Sequence, residues 1–307
     1  MPAPAAYIVM LCLLLLTGCH ASDATVTANA LPGAGPLTFD EPETRVRLER
    51  VVAADWSVPL AGLLDLRDER ARAAGLENRL EPIEIAVFVV EHPRHGIWLL
   101  DSGVAERFGR DETPAGVSVL VARAMGLDRL VLHRSTKALL AALPEPPRGV
   151  LLTHLHLDHV MGAADLDPGT PVWAGPGGGA ARDVSHVVTR STIDAQLAGV
   201  SPVRELPLLP DPSGSFVAGL DLFGDGSLQV LHTPGHTPGH LSFLVRAEDG
   251  DHLVVGDASH TAWGWANGVQ PGSYTLDAER GADSLERLRR FADTRPMTVH
   301  PGHQPLP

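Results

Sequence analysis

Short apolar runs closed off by turn residues recur along most of this chain. Ile83–Val90, Ile97–Leu100, Val150–Thr153, Leu228–Leu231, Leu241–Val245, Leu253–Val255 and Met297–His300 are bounded by Gly, Pro, Asp or Asn. Runs of that length and punctuation predict strands. Between Val117 and Leu143 the pattern turns helical, with Ser135 placed to cap the run that ends at Leu143. Farther on, Ala282, Leu285, Leu288 and Phe291 recur at helical spacing with Arg287, Arg289 and Arg290 between them, and Asp277 stands where a cap would. Strands mixed with helices throughout predict an α/β layered domain. The Gly175–Gly179 run lacks the Lys-Ser/Thr of a phosphate loop and reads as a surface loop. With the Pro-rich 202–212 stretch it separates two sheet-bearing halves rather than two domains.

One apolar run has a different character. Tyr7 to Leu16 is unbroken, too short to span a bilayer and suited to the core of a signal peptide, although no Lys or Arg precedes it. It ends in Leu16-Thr17-Gly18-Cys19, which resembles the lipobox of bacterial lipoproteins. That resemblance implies cleavage before Cys19, a diacylated Cys19, and a chain held to a membrane in the cell envelope. His20 in place of Asp implies sorting to the outer membrane. Residues 1–18 are then a signal peptide and 19–38 a flexible tether rich in Ala, Thr, Gly and Pro. Residues 39–307 are expected to form the folded domain.

Composition narrows the chemistry. The 307 residues are 44% hydrophobic and 20% charged, enough to bury a large core. A net charge of -13 argues against nucleic acid as a partner. The two cysteines, Cys12 and Cys19, both lie in the first 19 residues, so neither a disulfide nor a thiolate ligand is available to the folded part. The 15 histidines cluster rather than scatter.

The densest cluster is Thr153-His154-Leu155-His156-Leu157-Asp158-His159, at the end of an apolar strand. Residues two apart in extended backbone point the same way, so His154 and His156 can share one metal. Asp158 and His159 fall where the chain should turn into a helix and can reach a second. As core residues these four would be polar groups without evident partners.

This segment resembles the His-x-His-x-Asp-His signature of the metallo-β-lactamase superfamily. Further pieces of that family's pattern follow in order: Thr233-Pro234-Gly235-His236, Gly256-Asp257 and His300-Pro301-Gly302-His303. Upstream, Leu100-Asp101-Ser102-Gly103 resembles its strand-ending Asp-Thr-Gly. The resemblance runs from about Ile83 to the C-terminus. It implies a four-layer αβ/βα sandwich: two mixed sheets with helices outside. It implies that His154, His156 and His236 hold one divalent ion, that Asp158, His159 and His303 hold another, and that Asp257 bridges them. Zinc suits such ligands. Asp101 is expected to brace a ligand loop, and His240 to be structural.

The implied activity is hydrolysis by a hydroxide between the metals, with Asp158 relaying a proton. The segment Gly256-Asp257-Ala258-Ser259 is similar to quorum-quenching lactonases, which implies a small-molecule lactone or ester substrate. Phosphotriesterase, thioesterase or β-lactamase chemistry on the same fold is the alternative, as is a metal-binding lipoprotein without turnover. The chain departs from the lactonases at His260, where they usually carry a Tyr that polarises the substrate carbonyl. A histidine there is expected to donate the same hydrogen bond. The stretch from His260 to Tyr274, with Trp263 and Trp265, reads as a mobile aromatic loop over the site or as packing onto the sheet.

Overall fold

A computed structural model describes residues 31, 33–110, 114–178, 184–200 and 202–306, with the side chains of 184–188 left aside. The expected signal peptide and the lipid site at Cys19 lie outside the described residues.

The first half of the chain builds one sheet from β1 (Arg47–Pro59), β2 (Leu80–His92), β3 (Gly96–Leu100), β4 (Val131–Leu132), β5 (Gly149–Leu151), β6 (Val172–Ala174) and β7 (Arg204–Glu205). Its order is β4-β1-β2-β3-β5-β6-β7. The second half builds another from β8 (Leu209–Pro210), β9 (Ala218–Asp221), β10 (Leu228–His232), β11 (Leu241–Ala247), β12 (Gly250–Gly256) and β13 (Thr298–Pro301). Its order is β13-β12-β11-β10-β9-β8. Both sheets are mixed. β3, β5, β6 and β7 pair in parallel while β1 to β3 are antiparallel, and in the second sheet β12 and β13 are the parallel pair. The Pro-rich stretch is the crossover, since β7 closes one sheet and β8 opens the other.

The helices are α1 (Leu60–Leu63), α2 (Glu69–Ala73), α3 (Val119–Met125), α4 (Thr136–Ala142), α5 (Leu157–Val160), α6 (Val184–Leu197), α7 (Ala262–Asn267) and α8 (Ala278–Ala292). Three apolar clusters mark the interfaces between four layers. Phe88, Trp98, Leu100 and Trp173 of the first sheet meet Val230, Leu241, Phe243 and Val245 of the second. Ile85, Val87 and Leu99 face outward onto Leu139 of α4 and Ile193 and Leu197 of α6. Leu231, Leu244, Leu253 and Val255 face outward onto Leu285, Leu288 and Phe291 of α8. Strands covered on both faces lose the polar alternation of a half-exposed strand, hence the unbroken apolar run Phe243-Leu244-Val245 in β11. Each large side chain so buried contributes roughly 1.5–3 kcal/mol relative to leaving it exposed.

Several local expectations meet their structural cause. Ser135 accepts the Ala138 N–H at 3.1 Å and Asp277 the Arg280 N–H at 3.1 Å, so both caps close their helices. The helical stretch from Val117 is not continuous, because Gly126 adopts a left-handed φ of 65° and ends α3. Gly175 lies buried against the second half instead of in a surface loop, and a Cβ there would stand 2.1 Å from the Gly239 carbonyl oxygen. The stretch after His260 folds into α7, capped by Thr261 and Gly268. Trp265 enters the outer core and Trp263 packs on the first-sheet cluster. Among the described residues no helix is long and apolar enough to cross a membrane.

Candidate metal centre

The two sheets place their ligand-type side chains at one common edge. β5 stops at Leu151, and the loop beyond it carries Thr153, His154 and His156. The chain then turns into α5, which carries Asp158 and His159. His236 follows β10, Asp257 follows β12 directly, and His303 follows β13. Loops beyond strand ends on a rigid scaffold are where α/β folds put chemistry. His154, His159, His236, Asp257 and His303 are buried, and His156 and Asp158 half-buried.

These side chains form two groups that share Asp257. In each of them, His154, His156, His236 and Asp257 on one side and Asp158, His159, His303 and Asp257 on the other, one candidate ligand atom per residue lies within 4.8 Å of all the rest. His236 Nε2 stands 3.1 Å from His154 Nε2 and 2.9 Å from His156 Nδ1. Nitrogens bound at 2.0–2.1 Å around one tetrahedral ion would stand roughly 3.3 Å apart. Asp257 Oδ2 is 3.3 Å from His236 Nε2 and 3.4 Å from His159 Nε2, and Oδ1 is 3.2 Å from His303 Nε2. Asp158 Oδ2 completes the second group at 3.3 Å from His303 Nε2.

The nitrogens that face away from the centre fix the rings. His159 Nδ1 donates to Asp101 Oδ2 at 2.8 Å, and His303 Nδ1 donates to the Glu84 carbonyl at 3.0 Å. Each bond leaves Nε2 of that ring turned inward. Asp101 adopts a positive φ of 59° and also accepts the Thr153 N–H at 2.7 Å, which ties the ends of β3 and β5 together. His240 Nε2 accepts the Asp257 backbone N–H at 2.9 Å, so its other nitrogen carries the proton and donates to Thr233. It is a brace for the Asp257 loop. Burial holds its pKa down at about 3.

Electrostatics sorts the histidines. Burial, reinforced by neighbouring rings, holds His154 and His236 well below the ordinary histidine range. Burial also opposes charge on His159 and His303, but carboxylates outweigh it. Asp101, Asp257 and Asp158 hold His159 well above its usual value, and Asp257 and Asp158 lift His303 to about 10. Burial would raise Asp158 as well, yet His159 and His303 bring it down to about 2. In the protein alone, the imidazolium rings of His159 and His303 thus face the carboxylates of Asp101, Asp158 and Asp257.

The donor set fits divalent ions. His159 Nε2 and Asp257 Oδ1 are buried without a hydrogen-bond partner. Buried groups left in that state are costly, and a cation between the groups satisfies both at once. Imidazole nitrogen with carboxylate oxygen is the ligand chemistry of zinc sites.

All the residues singled out in the sequence converge here, His260 included, but its contacts are internal. His260 Nδ1 donates to the Leu63 carbonyl at 3.1 Å, and Nε2 lies 3.0 Å from Asp257 Oδ2. The ring stands between α1 and the shared carboxylate. The carbonyls of Leu63 and Glu84 are the parts of the site that sequence reasoning missed, because a backbone acceptor has no spelling. The packing of α1 beside the centre was equally unsignalled.

Comparison with known proteins agrees with this geometry. Residues 81–303 match the Metallo-beta-lactamase superfamily. The N-acyl homoserine lactonase AttM of Agrobacterium fabrum (strain C58 / ATCC 33970) is 33% identical over 175 residues, which cover 53% of this chain and 60% of that protein. A second N-acyl homoserine lactonase AttM, from Azorhizobium caulinodans, is 29% identical over 238 residues, or 73% of this chain and 82% of its own. Among solved structures, an N-acyl homoserine lactone hydrolase with the product N-hexanoyl-L-homoserine at its catalytic metal center superposes with a TM-score of 0.60. It is 18% identical, and the superposition covers 85% of this chain and 94% of that one. AidC, a dizinc quorum-quenching lactonase, shares the fold at a TM-score of 0.51 and 15% identity over 87% of this chain and 91% of its own. With the matched segment running from β2 to His303 and containing both groups of ligand-type residues, this chain belongs to the metallo-β-lactamase superfamily.

Proposed function

We propose that this chain is a metal-dependent hydrolase acting on lactone or ester substrates. The observation that carries the reading is the pair of four-residue groups joined through Asp257. His154, His156 and His236 would hold one ion in this reading and Asp158, His159 and His303 the other, with Asp257 common to the two groups. Bound zinc supplies Lewis acidity, polarising a carbonyl and lowering the pKa of water. The protein's own part is placement and proton traffic. His159 and His303 keep their Nε2 atoms inward because Asp101 and the Glu84 carbonyl hold their Nδ1 protons. The neighbouring imidazoles keep Asp158 ionised, so it can take a proton from water and return it to the leaving oxygen. His260 Nε2 flanks the Asp257 carboxylate from the side of α1 at 3.0 Å. The lactonase relatives support the substrate class, and their partial coverage is why it is proposed.

The deciding experiment is a turnover panel on zinc-loaded protein with lactones, carboxylic esters, phosphotriesters, thioesters and β-lactams. Lactones or esters are expected to give the highest kcat/KM. A preference for another class would reassign the substrate, and no turnover with the metals bound would leave a metal-binding protein. We further propose, from the sequence of the leader, that Cys19 carries lipid and holds the domain to a membrane of the cell envelope.

A further inference from the structure

We propose that Tyr274 supplies the hydroxyl that hydrogen-bonds the substrate oxygen as negative charge develops on it, an inference that rests on the hydrolase reading above. The need for such a donor follows from His260. Its Nδ1 donates to the Leu63 carbonyl and its Nε2 is turned to Asp257 Oδ2 at 3.0 Å, so the ring is committed to contacts within the protein.

Tyr274 stands next to it. The two rings meet edge to face, with centroids 6.4 Å apart and planes at 77°. Tyr274 is 42% exposed, whereas Trp265 is buried in the outer core and Trp263 packs on the first-sheet cluster. Of the aromatic residues between His260 and Tyr274, only the last is exposed. The other tyrosine of the chain, Tyr7, belongs to the leader. Among the described residues, no hydrogen-bond partner takes the Tyr274 hydroxyl.

The position is built rather than incidental. Gly272 N–H and Tyr274 N–H donate to the Gly62 carbonyl at 3.2 and 3.4 Å, and Ser273 N–H donates to the Ala61 carbonyl at 2.9 Å. The phenol ring then lies directly on Gly62. A Cβ at that position would fall 2.2 Å from ring atoms Cε2 and Cζ, so only glycine lets the ring approach this far. On the other side, the Leu276 N–H donates to the His236 carbonyl at 3.1 Å, and Thr275 Oγ1 lies 3.4 Å from His236 Nδ1. The tyrosine is thereby clamped between α1 and a ligand-bearing loop. Burial, and then the Asp158 charge, raise the phenol above its ordinary pKa, so it remains a protonated donor at neutral pH.

The chemistry balances without further reactants. The oxygen of water bonds to the acyl carbon as the carbonyl pair moves onto the carbonyl oxygen. The Tyr274 O–H donates a hydrogen bond to that oxygen and keeps its proton. As the carbonyl re-forms, the alkoxy oxygen leaves and takes the proton that Asp158 removed from water.

The test is Tyr274→Phe in the full chain loaded with zinc, since the ring on Gly62 is kept and only the hydroxyl is lost. For the best lactone or ester, kcat is expected to fall roughly a hundredfold while KM moves far less, with zinc content unchanged. A second readout is calorimetric affinity for methylphosphonate monoester, a tetrahedral anion, against acetate, a planar carboxylate. Tyr274→Phe should weaken the phosphonate selectively. Wild-type kcat and wild-type phosphonate affinity in the variant would overturn the proposal, as would loss of zinc from it. If the wild-type protein hydrolyses no ester or lactone, the hydrolase reading falls, and the phosphonate comparison still decides whether Tyr274 faces the centre.

Discussion

Asp101 Oδ2 lies 2.8 Å from His159 Nδ1 while Asp101 Oδ1 takes the Thr153 N–H at 2.7 Å, so one carboxylate orients the His159 ring and fixes the loop that carries His154 and His156. Asp101 makes this double contact with its backbone at a left-handed φ of 59°. Asparagine tolerates the same conformation, so Asp101→Asn isolates the carboxylate. Zinc affinity is expected to fall about 10–100-fold with the circular dichroism spectrum unchanged. Chelator competition measures it, and an unaltered affinity would show that His159 holds its orientation unaided.

Asp257 occupies the point common to both groups; His240 holds its backbone N–H, and His260 Nε2 flanks its carboxylate at 3.0 Å. Asp257→Asn is expected to fold normally and to lose hydrolysis by at least roughly a hundredfold. Metal analysis by plasma emission should show fewer ions per chain than in the wild type. A folded variant with wild-type turnover and metal content would place the centre elsewhere.

Metal uptake should release protons. His159 and His303 are held protonated by the carboxylates around them, His303 up to about 10. Each must lose that proton before its Nε2 can bind a cation. The sign follows directly: acidification favours the imidazolium forms, so zinc affinity weakens as pH falls and strengthens as it rises. Titration calorimetry in buffers of different ionisation enthalpy is expected to show about two protons released per chain, one from each ring. Release of none would mean that these rings are neutral before metal arrives.

The leader makes a separate prediction. Cys19→Ser should leave the catalytic domain active and move it from the membrane fraction to the soluble one. Mass spectrometry of the mature N-terminus checks it. An unmodified wild-type Cys19, or cleavage at another bond, would refute the lipid anchor.

The ligand-type residues were legible because each interrupts an apolar run at its end, where polar side chains have no structural excuse. The caps at Ser135 and Asp277 were legible for a similar reason, since both precede helical spacing. β1 was not. Its pairing with β2 slips between Val52 and Ala54, which buries Ala53 and Ala54 in succession and erases the alternation that would have announced a strand. α7 was hidden by its glycines and by two tryptophans that read as a loop over the site. The contacts of His260 were invisible because Leu63, which holds it, is 197 residues away along the chain and acts through its carbonyl.

The crossover between β7 and β8 divides more than the sheets. Everything before it supplies His154, His156, Asp158 and His159, and everything after it supplies His236, Asp257 and His303. Neither piece of a chain nicked at Pro207 would own a complete cage for a cation. The N-terminal piece would still reach across through the bridges of Gly35 to Asp221 and Val46 to Ala247. Reunion of two such fragments would therefore depend on the ion as much as on the apolar interface, and a chelator would decide whether they part.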